Sequence, residues 1–343
     1  MGLTVPLCFV SLGVDWNHGI ALLSALLQRK GIATRLVLLK DWWSFARVVD
    51  ETDAPWMVFS AVTQTDYDAL VPFMRAASLA GKQVLLGGTW AGLGRPVDAS
   101  VYRVCRGEGE TLPGYFLVGE DRLFNERLVW QDVNALPLPD YELFKDLPFD
   151  RGLPGTAGKK CLPYVSSRGC PYPCTFCQIR QQPQGYRVRT QVEADLTELR
   201  ERYAPDVFFI GDAQVPVDVK AWRESWGEFR HPFVSYIRAD IQPTRLAWLI
   251  DRGMIGCAFG VESGDEWFRN TVLRKQLDDH ELWRTVAALN KANVWFIPFF
   301  MSGTPGETMV QRTKTAQMAK QLGPYAATWT YEELGPWESP QQS

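Results

Sequence analysis

The first 110 residues alternate short apolar runs with segments of helical periodicity. The apolar runs predict five strands, the last of them short, at 5–12, 33–40, 55–62, 83–88 and 101–110. Helical spacing predicts helices over His18–Lys30 and 66–82, closed by Gly31 and Gly81. Strands that are apolar almost throughout are buried on both faces, as in a parallel sheet covered by helices. The pattern therefore predicts an α/β domain over residues 1–118, with a doubly wound parallel sheet of the Rossmann-like kind.

A second alternation begins near residue 161, after a stretch rich in Pro, Gly and turn residues that we interpret as a linker over 119–160. Five apolar runs that end in polar residues or glycine predict strands at 161–170, 206–212, 232–240, 255–263 and 294–303. Helices are predicted near Val192–Tyr203, up to Gly253, and over Asp278–Asn293. This strand–helix order favours a partial (β/α)6 TIM-like barrel over 161–343, with a short C-terminal extension.

Composition narrows the class of protein. The chain has 343 residues and a formal net charge of −3, which provides no general attraction to nucleic acid or to an anionic membrane. The N-terminus lacks the basic and apolar regions of a signal peptide, and no apolar run has the length of a membrane span. Seven cysteines, an odd number, argue against a disulfide framework and for a reducing compartment. We expect a cytoplasmic globular protein.

The predicted first sheet has one edge at which a ligand is expected. In doubly wound sheets, ligands bind outside the carboxyl ends of the strands. Those ends correspond to Gly13–Asn17, Thr63–Asp66, Gly87–Trp90 and Gly107–Glu110. No G-x-G-x-x-G pattern follows the first strand, so a dinucleotide is disfavoured as the ligand.

The segment SSRGCPYPCTFC, residues 166–177, contains three cysteines: Cys170, Cys174 and Cys177. Pro171 and Pro173 exclude a regular helix through the first gap, so the loop is expected to wrap and turn its thiolates toward a common centre. Three thiolates suit a [4Fe–4S] cluster in which one iron stays open to a non-protein ligand. A zinc site, which usually takes four protein ligands, is the alternative if Cys161 supplies the fourth, since the three histidines lie far away in the sequence.

The spacing C-x₃-C-x-aromatic-C, with Phe176 as the aromatic residue, resembles the cluster motif of radical S-adenosylmethionine enzymes. The likeness extends over Leu162–Glu307, through FFIGDAQ, IRAD, FGVESG and PFFMSGTPGET. It implies that the open iron binds S-adenosylmethionine, whose other contacts would come from Phe176, Gly211, Asp212, Ala213, Arg238, Glu262, Ser263, Gly303 and Thr304. Taken singly, each match has a structural reading: Arg238 also suits an ion pair, Glu262 a surface carboxylate, and GTPGE a turn.

The first half resembles the cobalamin-binding domain that precedes the barrel in one branch of that superfamily. The likeness lies in NHGIALLSALLQRKGIATRLVLL, VLLGGTWAGLG and VYRVCRGEGE. It implies cobalamin contacts from Asp15, Trp16, Asn17, Thr63, Gln64, Gly87, Gly88, Thr89, Trp90, Gly107, Glu108 and Gly109. The D-x-H-x-x-G motif that offers histidine to cobalt is absent, and Trp90 stands where the family often has histidine. Without the resemblance, the residues of this domain are also compatible with another ligand or with no ligand, because this fold hosts many ligands.

Together these resemblances imply a cobalamin-dependent radical S-adenosylmethionine methyltransferase. Such an enzyme methylates an unactivated carbon, or a phosphinate phosphorus, by way of a 5′-deoxyadenosyl radical and methylcobalamin. Its expected partners are a substrate of unknown identity, for which a small molecule is favoured, and an external electron donor of the flavodoxin or ferredoxin type. No membrane is expected, and the sequence does not indicate nucleic acid. One alternative is ring formation or rearrangement without methyl transfer. Another is an iron–sulfur or zinc binding protein without turnover.

Overall fold

The computed structural model describes residues 7–12, 17–39, 42–113, 133–145, 156–177, 179, 185–186, 191–214 and 219–330. The chain divides into two compact units, Met1–Pro148 and Phe149–Ser343, with the division inside the predicted linker. No helix among these residues is long and apolar enough to cross a membrane.

The first unit contains a five-stranded sheet in the order β2-β1-β3-β4-β5, and every neighbouring pair is parallel. Its strands are β1 (Leu7–Ser11), β2 (Thr34–Leu38), β3 (Trp56–Ser60), β4 (Gln83–Gly87) and β5 (Arg103–Val104). Its helices are α1 (His18–Gln28), α2 (Trp42–Glu51) and α3 (Gln64–Leu79). The predicted doubly wound fold is confirmed. The order places the point where the winding reverses between β1 and β3.

Helix α2 is an element that the sequence analysis did not predict. Phe45 and Val49, one turn apart, are completely or almost completely buried, and Phe45 packs edge-on against Phe73 of α3. Trp42 and Trp43 at the start of the helix are exposed. Two exposed tryptophans hide the helical period, because they add apolar residues to the face that α2 turns to solvent.

Residues 133–145, which fall in the predicted linker, pack against α1. Val133 and Leu136 cluster with Leu22, and the amide of Asp140 donates to the carbonyl of Ala21 at 2.8 Å. The Asp140 carboxylate also accepts from Ser24, whose side chain is buried in α1. This stretch is therefore part of the first unit rather than a free connection.

The second unit contains a six-stranded parallel sheet in sequential order, β6-β9-β10-β11-β12-β13. Its strands are β6 (Cys161–Tyr164), β9 (Val207–Ile210), β10 (Phe233–Tyr236), β11 (Met254–Glu262), β12 (Trp295–Ser302) and β13 (Ala327–Thr330), and a separate antiparallel pair consists of β7 (Ser167–Arg168) and β8 (Gly185–Tyr186). Its helices are α4 (Gln191–Tyr203), α5 (Val219–Trp226), α6 (Pro243–Asp251), α7 (Asp279–Lys291) and α8 (Met309–Leu322). Sequential parallel strands joined by helices form the predicted barrel-type sheet.

Helix α5 is a second helix that the sequence analysis did not predict, and its tryptophans are buried. Trp222 and Trp226 lie one turn apart in it, are 2% and 1% exposed, and pack with Trp248 of α6 at centroid distances of 5.1 and 6.1 Å. These indoles fill the helical layer outside the sheet.

Candidate functional site

The three sequence-predicted cysteines lie in a loop that follows the carboxyl end of β6. Cys174 is buried, and Cys170 and Cys177 are partly buried. The amide of Cys177 donates to the carbonyl of Cys174 at 3.1 Å, which gives the second half of the loop a tight turn. Thr175 fastens that turn to the protein, because its amide donates to Leu273 at 3.0 Å and its hydroxyl to the carbonyl of Val272 at 3.0 Å.

The thiols are close enough to influence one another electrostatically. Burial raises the pKa of Cys177 to about 11, and the neighbouring thiols Cys174 and Cys170 raise it too. Burial also raises the pKa of Cys174, whereas the cations Lys275 and Arg238 lower it. A metal deprotonates the thiols that bind it, and the two cations favour the same thiolate state. The donor set therefore fits a thiolate-held iron–sulfur cluster.

No three His, Cys, Asp or Glu side chains among the described residues converge on a single metal-ion position. Cys161, the possible fourth zinc ligand, lies at the amino end of β6, whereas the cysteine loop follows its carboxyl end. It is fully buried in a cluster with Val207 and Val234. The structure therefore does not bring Cys161 to the other three cysteines.

A buried ion pair closes the end of β11 beside this loop. The ammonium group of Lys275 lies 2.8 Å from Oε1 of Glu262, and both residues are less than a tenth exposed. Glu262 adopts a φ of +70°, and a Cβ on Gly260 would overlap its carboxylate. Gly260 thus makes the space for the pair, so Glu262 is not a surface carboxylate. Sequence reasoning missed Lys275 because lysine is rarely buried and no motif included it.

Arg238, which follows β10, connects the cysteine loop to the segment that carries Lys275. Its guanidinium binds both carboxylate oxygens of Asp240 and donates to the carbonyls of Lys275 at 2.7 Å and Gln276 at 3.0 Å. It also lies over the Tyr172 ring, 3.6 Å from the centroid. The ion pair expected as the structural reading of Arg238 is present. The predicted contact of Arg238 with S-adenosylmethionine stays a prediction.

Asp212, after β9, is buried and binds the chain that enters the cysteine loop. Its carboxylate accepts the amides of Ser166 at 2.6 Å and Ser167 at 3.0 Å, as well as both hydroxyls. Burial raises its pKa to about 6, although these hydrogen bonds act in the opposite direction. The carboxylate of Asp212 is thus engaged within the protein. The neighbouring Gly211 donates its amide to Tyr164 at 2.8 Å, and Ala213 is exposed.

The remaining predicted S-adenosylmethionine residues lie at the same edge of the sheet. Ser263 is buried, and its hydroxyl accepts the amide of Asp265 at 3.2 Å. Gly303 has a φ of +80° and donates its amide to Glu307 at 2.7 Å, which closes a turn around the buried Thr304. Phe176 is partly buried and packs against the cluster of Phe268, Leu273 and Met301. GTPGE therefore is a turn, and its exposed Gly303 lies beyond the carboxyl end of β12.

In the first unit, two predicted cobalamin residues are helix caps. The side chain of Asn17 accepts the amide of Ile20 at 3.0 Å at the start of α1. Thr63 and Asp66 form a reciprocal capping box at the start of α3. Both caps follow the strands that flank the winding reversal, β1 and β3. Asp15 and Trp16 lie outside the described residues.

Trp90 and Gln64 belong to a buried polar and aromatic cluster. The Trp90 ring is 2% exposed and stacks on Tyr67 with a centroid distance of 3.7 Å. Its indole N–H donates to Gln64 at 3.1 Å, and Arg95 donates to the same amide oxygen. Trp90, which the resemblance implies as a cobalamin contact, is a core side chain beneath the carboxyl end of β4, and its contact with cobalamin stays a prediction.

One of the four predicted cobalamin glycines, Gly88, is explained by close packing within the first unit. Gly88 has a φ of +90°, and a Cβ there would overlap the backbone of Ala61. A Cβ on Gly109 would come within 2.9 Å of the Leu23 side chain in α1. Gly87 has ordinary space around a Cβ, and Gly107 accepts a weak hydrogen bond from Cys105. Glu108 is partly buried, whereas Thr89 is exposed at the carboxyl end of β4.

No protein-family model matches the chain. The chain is 26% identical over 330 residues to an uncharacterized methyltransferase, sll1242, of Synechocystis sp.. That alignment covers 86% of this chain but only 59% of the relative, so the chain spans less than two thirds of that protein.

Two solved structures share the fold over nearly the whole chain. Both are of the radical S-adenosylmethionine methyltransferase TsrM from Kitasatospora setae, one with cobalamin and a [4Fe–4S] cluster, the other with tryptophan substrate and an S-adenosylmethionine analogue. Their TM-scores are 0.66 and 0.65 at 13% identity, and the alignments cover 96% and 95% of this chain and 72% of each TsrM chain. The chain therefore has the fold of a cobalamin-binding radical S-adenosylmethionine methyltransferase.

Proposed function

We propose that the chain is a cobalamin-dependent radical S-adenosylmethionine methyltransferase. The observation that carries the proposal is the cysteine loop, in which three neighbouring thiols lie beside the buried Lys275 and the partly buried Arg238 at the carboxyl edge of a sequential parallel sheet. A surface loop with three incidental cysteines would need none of these neighbours. The fold shared with TsrM and the distant methyltransferase relative support the same function.

Cys170, Cys174 and Cys177 would hold the cluster, which when bound supplies the electron that cleaves S-adenosylmethionine. The chain contributes the thiolates, a dry environment and a fixed loop. Thr175 and Asp212 anchor the second half of the loop and its entrance, respectively. Catalysis by such a cofactor depends on how accurately the protein positions it, so these anchors are part of the proposed function.

S-adenosylmethionine would lie along the carboxyl ends of β9 to β12. At this edge Ala213 and Gly303 are exposed, while Glu262 has a buried carboxylate. We assign Phe176, Gly211, Arg238, Ser263 and Thr304 to the shape of that site. Asp212 acts in the proposal by holding Ser166 and Ser167.

Cobalamin would lie at the carboxyl edge of the first sheet, near the winding reversal between β1 and β3. Val62 and Thr89 are exposed there, after β3 and β4, and offer apolar and hydroxyl surface. Asn17, Thr63, Gly87 and Gly107 border the same edge. The imidazole of His18 is 3.0 Å from the Tyr141 hydroxyl, so the proposal assigns it no contact with cobalt.

The substrate is proposed as a small molecule and the electron source as a flavodoxin- or ferredoxin-type protein. The methyl acceptor would be an unactivated carbon or a phosphinate phosphorus. Ring formation or rearrangement is the second candidate, because it needs the same cysteine loop. Transfer of labelled methyl from S-adenosylmethionine separates the two reactions.

The decisive experiment is anaerobic purification with added hydroxocobalamin, followed by iron, sulfide and cobalt analysis and an absorption spectrum. About four irons and one corrin per chain are expected. Iron without cobalt would remove cobalamin and methyl transfer from the proposal. Zinc without sulfide would overturn the radical chemistry altogether.

A further inference from the structure

The backbone around Lys275 is held in an unusual conformation. Arg274 and Gln276, on either side of it, have φ values of +50° and +55°. Left-handed backbone is unfavourable for a residue other than glycine, because Cβ crowds the neighbouring carbonyl oxygen. Two such residues around one buried lysine indicate that the surrounding contacts force Lys275 into its place.

Those contacts tie Lys275 to the cysteine loop from two sides. Arg238 donates to the carbonyls of Lys275 and Gln276, and its guanidinium lies on the Tyr172 ring of the loop. On the other side, Thr175 is bonded to residues 272 and 273. The ammonium group of Lys275 lies 5.8 Å from the centroid of the Phe176 ring. The charge is therefore fixed next to the residues that link Cys174 and Cys177.

The two cations near the loop, Arg238 and Lys275, differ in how completely a neighbouring carboxylate neutralises them. The guanidinium of Arg238 is neutralised by both oxygens of Asp240 at 2.9–3.2 Å. Among the residues that the structure describes, Lys275 contacts one carboxylate, that of Glu262 at 2.8 Å. The cationic end of the pair lies at the loop, where the Lys275 ammonium group is 5.8 Å from the centroid of the Phe176 ring.

We propose that the Glu262–Lys275 pair sets the reduction potential of the cluster, with Lys275 raising it and Glu262 lowering it. The inference rests on the proposed function, since it requires a cluster on Cys170, Cys174 and Cys177. One-electron reduction of a [4Fe–4S]²⁺ cluster to the 1+ state adds negative charge. A buried cation stabilises that state most strongly where water cannot screen it. Arg238 and Thr175 are positioning residues for Lys275.

The test compares Lys275→Met, Glu262→Gln, the double variant and Lys275→Arg with the wild-type protein. Each is reconstituted anaerobically without S-adenosylmethionine. The reduced cluster is then followed by electron paramagnetic resonance during a redox titration. We expect a more negative midpoint for Lys275→Met and a less negative one for Glu262→Gln. The double variant and Lys275→Arg should return toward the wild-type value.

Shifts of opposite sign cannot come from general loosening of the loop, which would lower iron content in both single variants alike. Equal midpoints, or shifts in the same direction, overturn the inference while wild-type iron content leaves the proposed function intact. If Lys275→Met fails to retain iron, Glu262→Gln alone tests the inference. A midpoint less negative than that of the wild type supports it, and an unchanged or more negative midpoint overturns it. A wild-type protein that binds no cluster overturns both proposals through the iron analysis alone.

Discussion

The carboxyl edges of the two parallel sheets differ in what their chemically suggestive residues do. In the second unit, the surroundings of the cysteine loop include the buried Glu262–Lys275 ion pair, whose charges are costly to bury. In the first unit, Thr63 caps a helix, Trp90 fills the core, and Gly88 permits the approach of Ala61. A residue whose type is already explained by its role in the folded structure provides little evidence that a ligand binds there.

This difference decides how strongly each cofactor is supported by the chain itself. Three thiols in one loop, with cations beside them, are expensive to bury and gain nothing from one another without a metal. Glycines and helix caps are needed by every doubly wound domain. The cluster site is therefore supported by the side chains of this chain, whereas the cobalamin site is supported only by the fold and by the carboxyl edge of the first sheet.

The largest expected effect is loss of iron from the second unit. Replacing any one of Cys170, Cys174 and Cys177 by alanine should remove nearly all bound iron and sulfide, because a cluster needs all three thiolates. Cleavage of S-adenosylmethionine should then be lost as well. Iron analysis of the reconstituted variants provides the measurement. Cys161→Ala is the matched control and should retain iron. Retention of iron by Cys174→Ala would refute the cluster assignment.

A glycine pair tests the packing explanation for the first unit. Gly88→Ala should lower the thermal midpoint of the cobalamin-free protein substantially. Its Cβ overlaps Ala61, and its φ of +90° alone costs about 1–3 kcal/mol. The adjacent Gly87→Ala meets only ordinary contacts at 3.8–4.0 Å and should change the midpoint little. Equal midpoints for the two variants, with loss of cobalamin binding only in Gly88→Ala, would restore a ligand role for Gly88.

Asp212 should make the second unit sensitive to pH. Burial raises its pKa from 3.8 to about 6, so the folded state binds the proton more tightly than the unfolded chain. Protonation therefore stabilises the fold below about pH 4, and this contribution, about 3 kcal/mol, is lost as the pH rises through 6. The stability advantage of wild type over Asp212→Asn should accordingly grow between pH 7.5 and pH 5. Thermal midpoints that differ by the same amount at both pH values would contradict this explanation.

The smallest effect is expected at the cap of α3. Thr63→Ala removes the hydroxyl that accepts the amide of Asp66 and should cost about 1 kcal/mol of stability. Thr65→Ala, at an exposed position in the same turn, provides the control. Thermal unfolding measures both variants without cobalamin. If Thr63→Ala instead weakens cobalamin binding and leaves stability unchanged, Thr63 is a ligand-binding residue. The contrast between the edges of the two sheets would then be wrong at this position.

Much of the fold could be predicted from the sequence because buried parallel strands have an unmistakable apolar pattern. The strands at Leu7–Ser11, Trp56–Ser60 and Gln83–Gly87 lie within the predicted runs. Helices α2, α5 and α8 and strand β13 were not predicted. Exposed tryptophans in α2, the short length of α5 and the few apolar residues of α8 obscure the period of 3.6 residues. The packing of residues 133–145 on α1 depends on contacts between distant parts of the chain, which local composition does not contain.

The sequence by itself determined the α/β architecture and the three thiols, because strand periodicity and cysteine spacing are local properties. Only the tertiary structure decided what surrounds those thiols. Lys275 lies almost a hundred residues after the loop, and its burial depends on Gly260, Glu262 and Arg238 on neighbouring strand ends. The carboxyl ends of parallel strands meet at one edge of the sheet. Residues that are far apart in the sequence therefore lie close enough there to act on one another electrostatically.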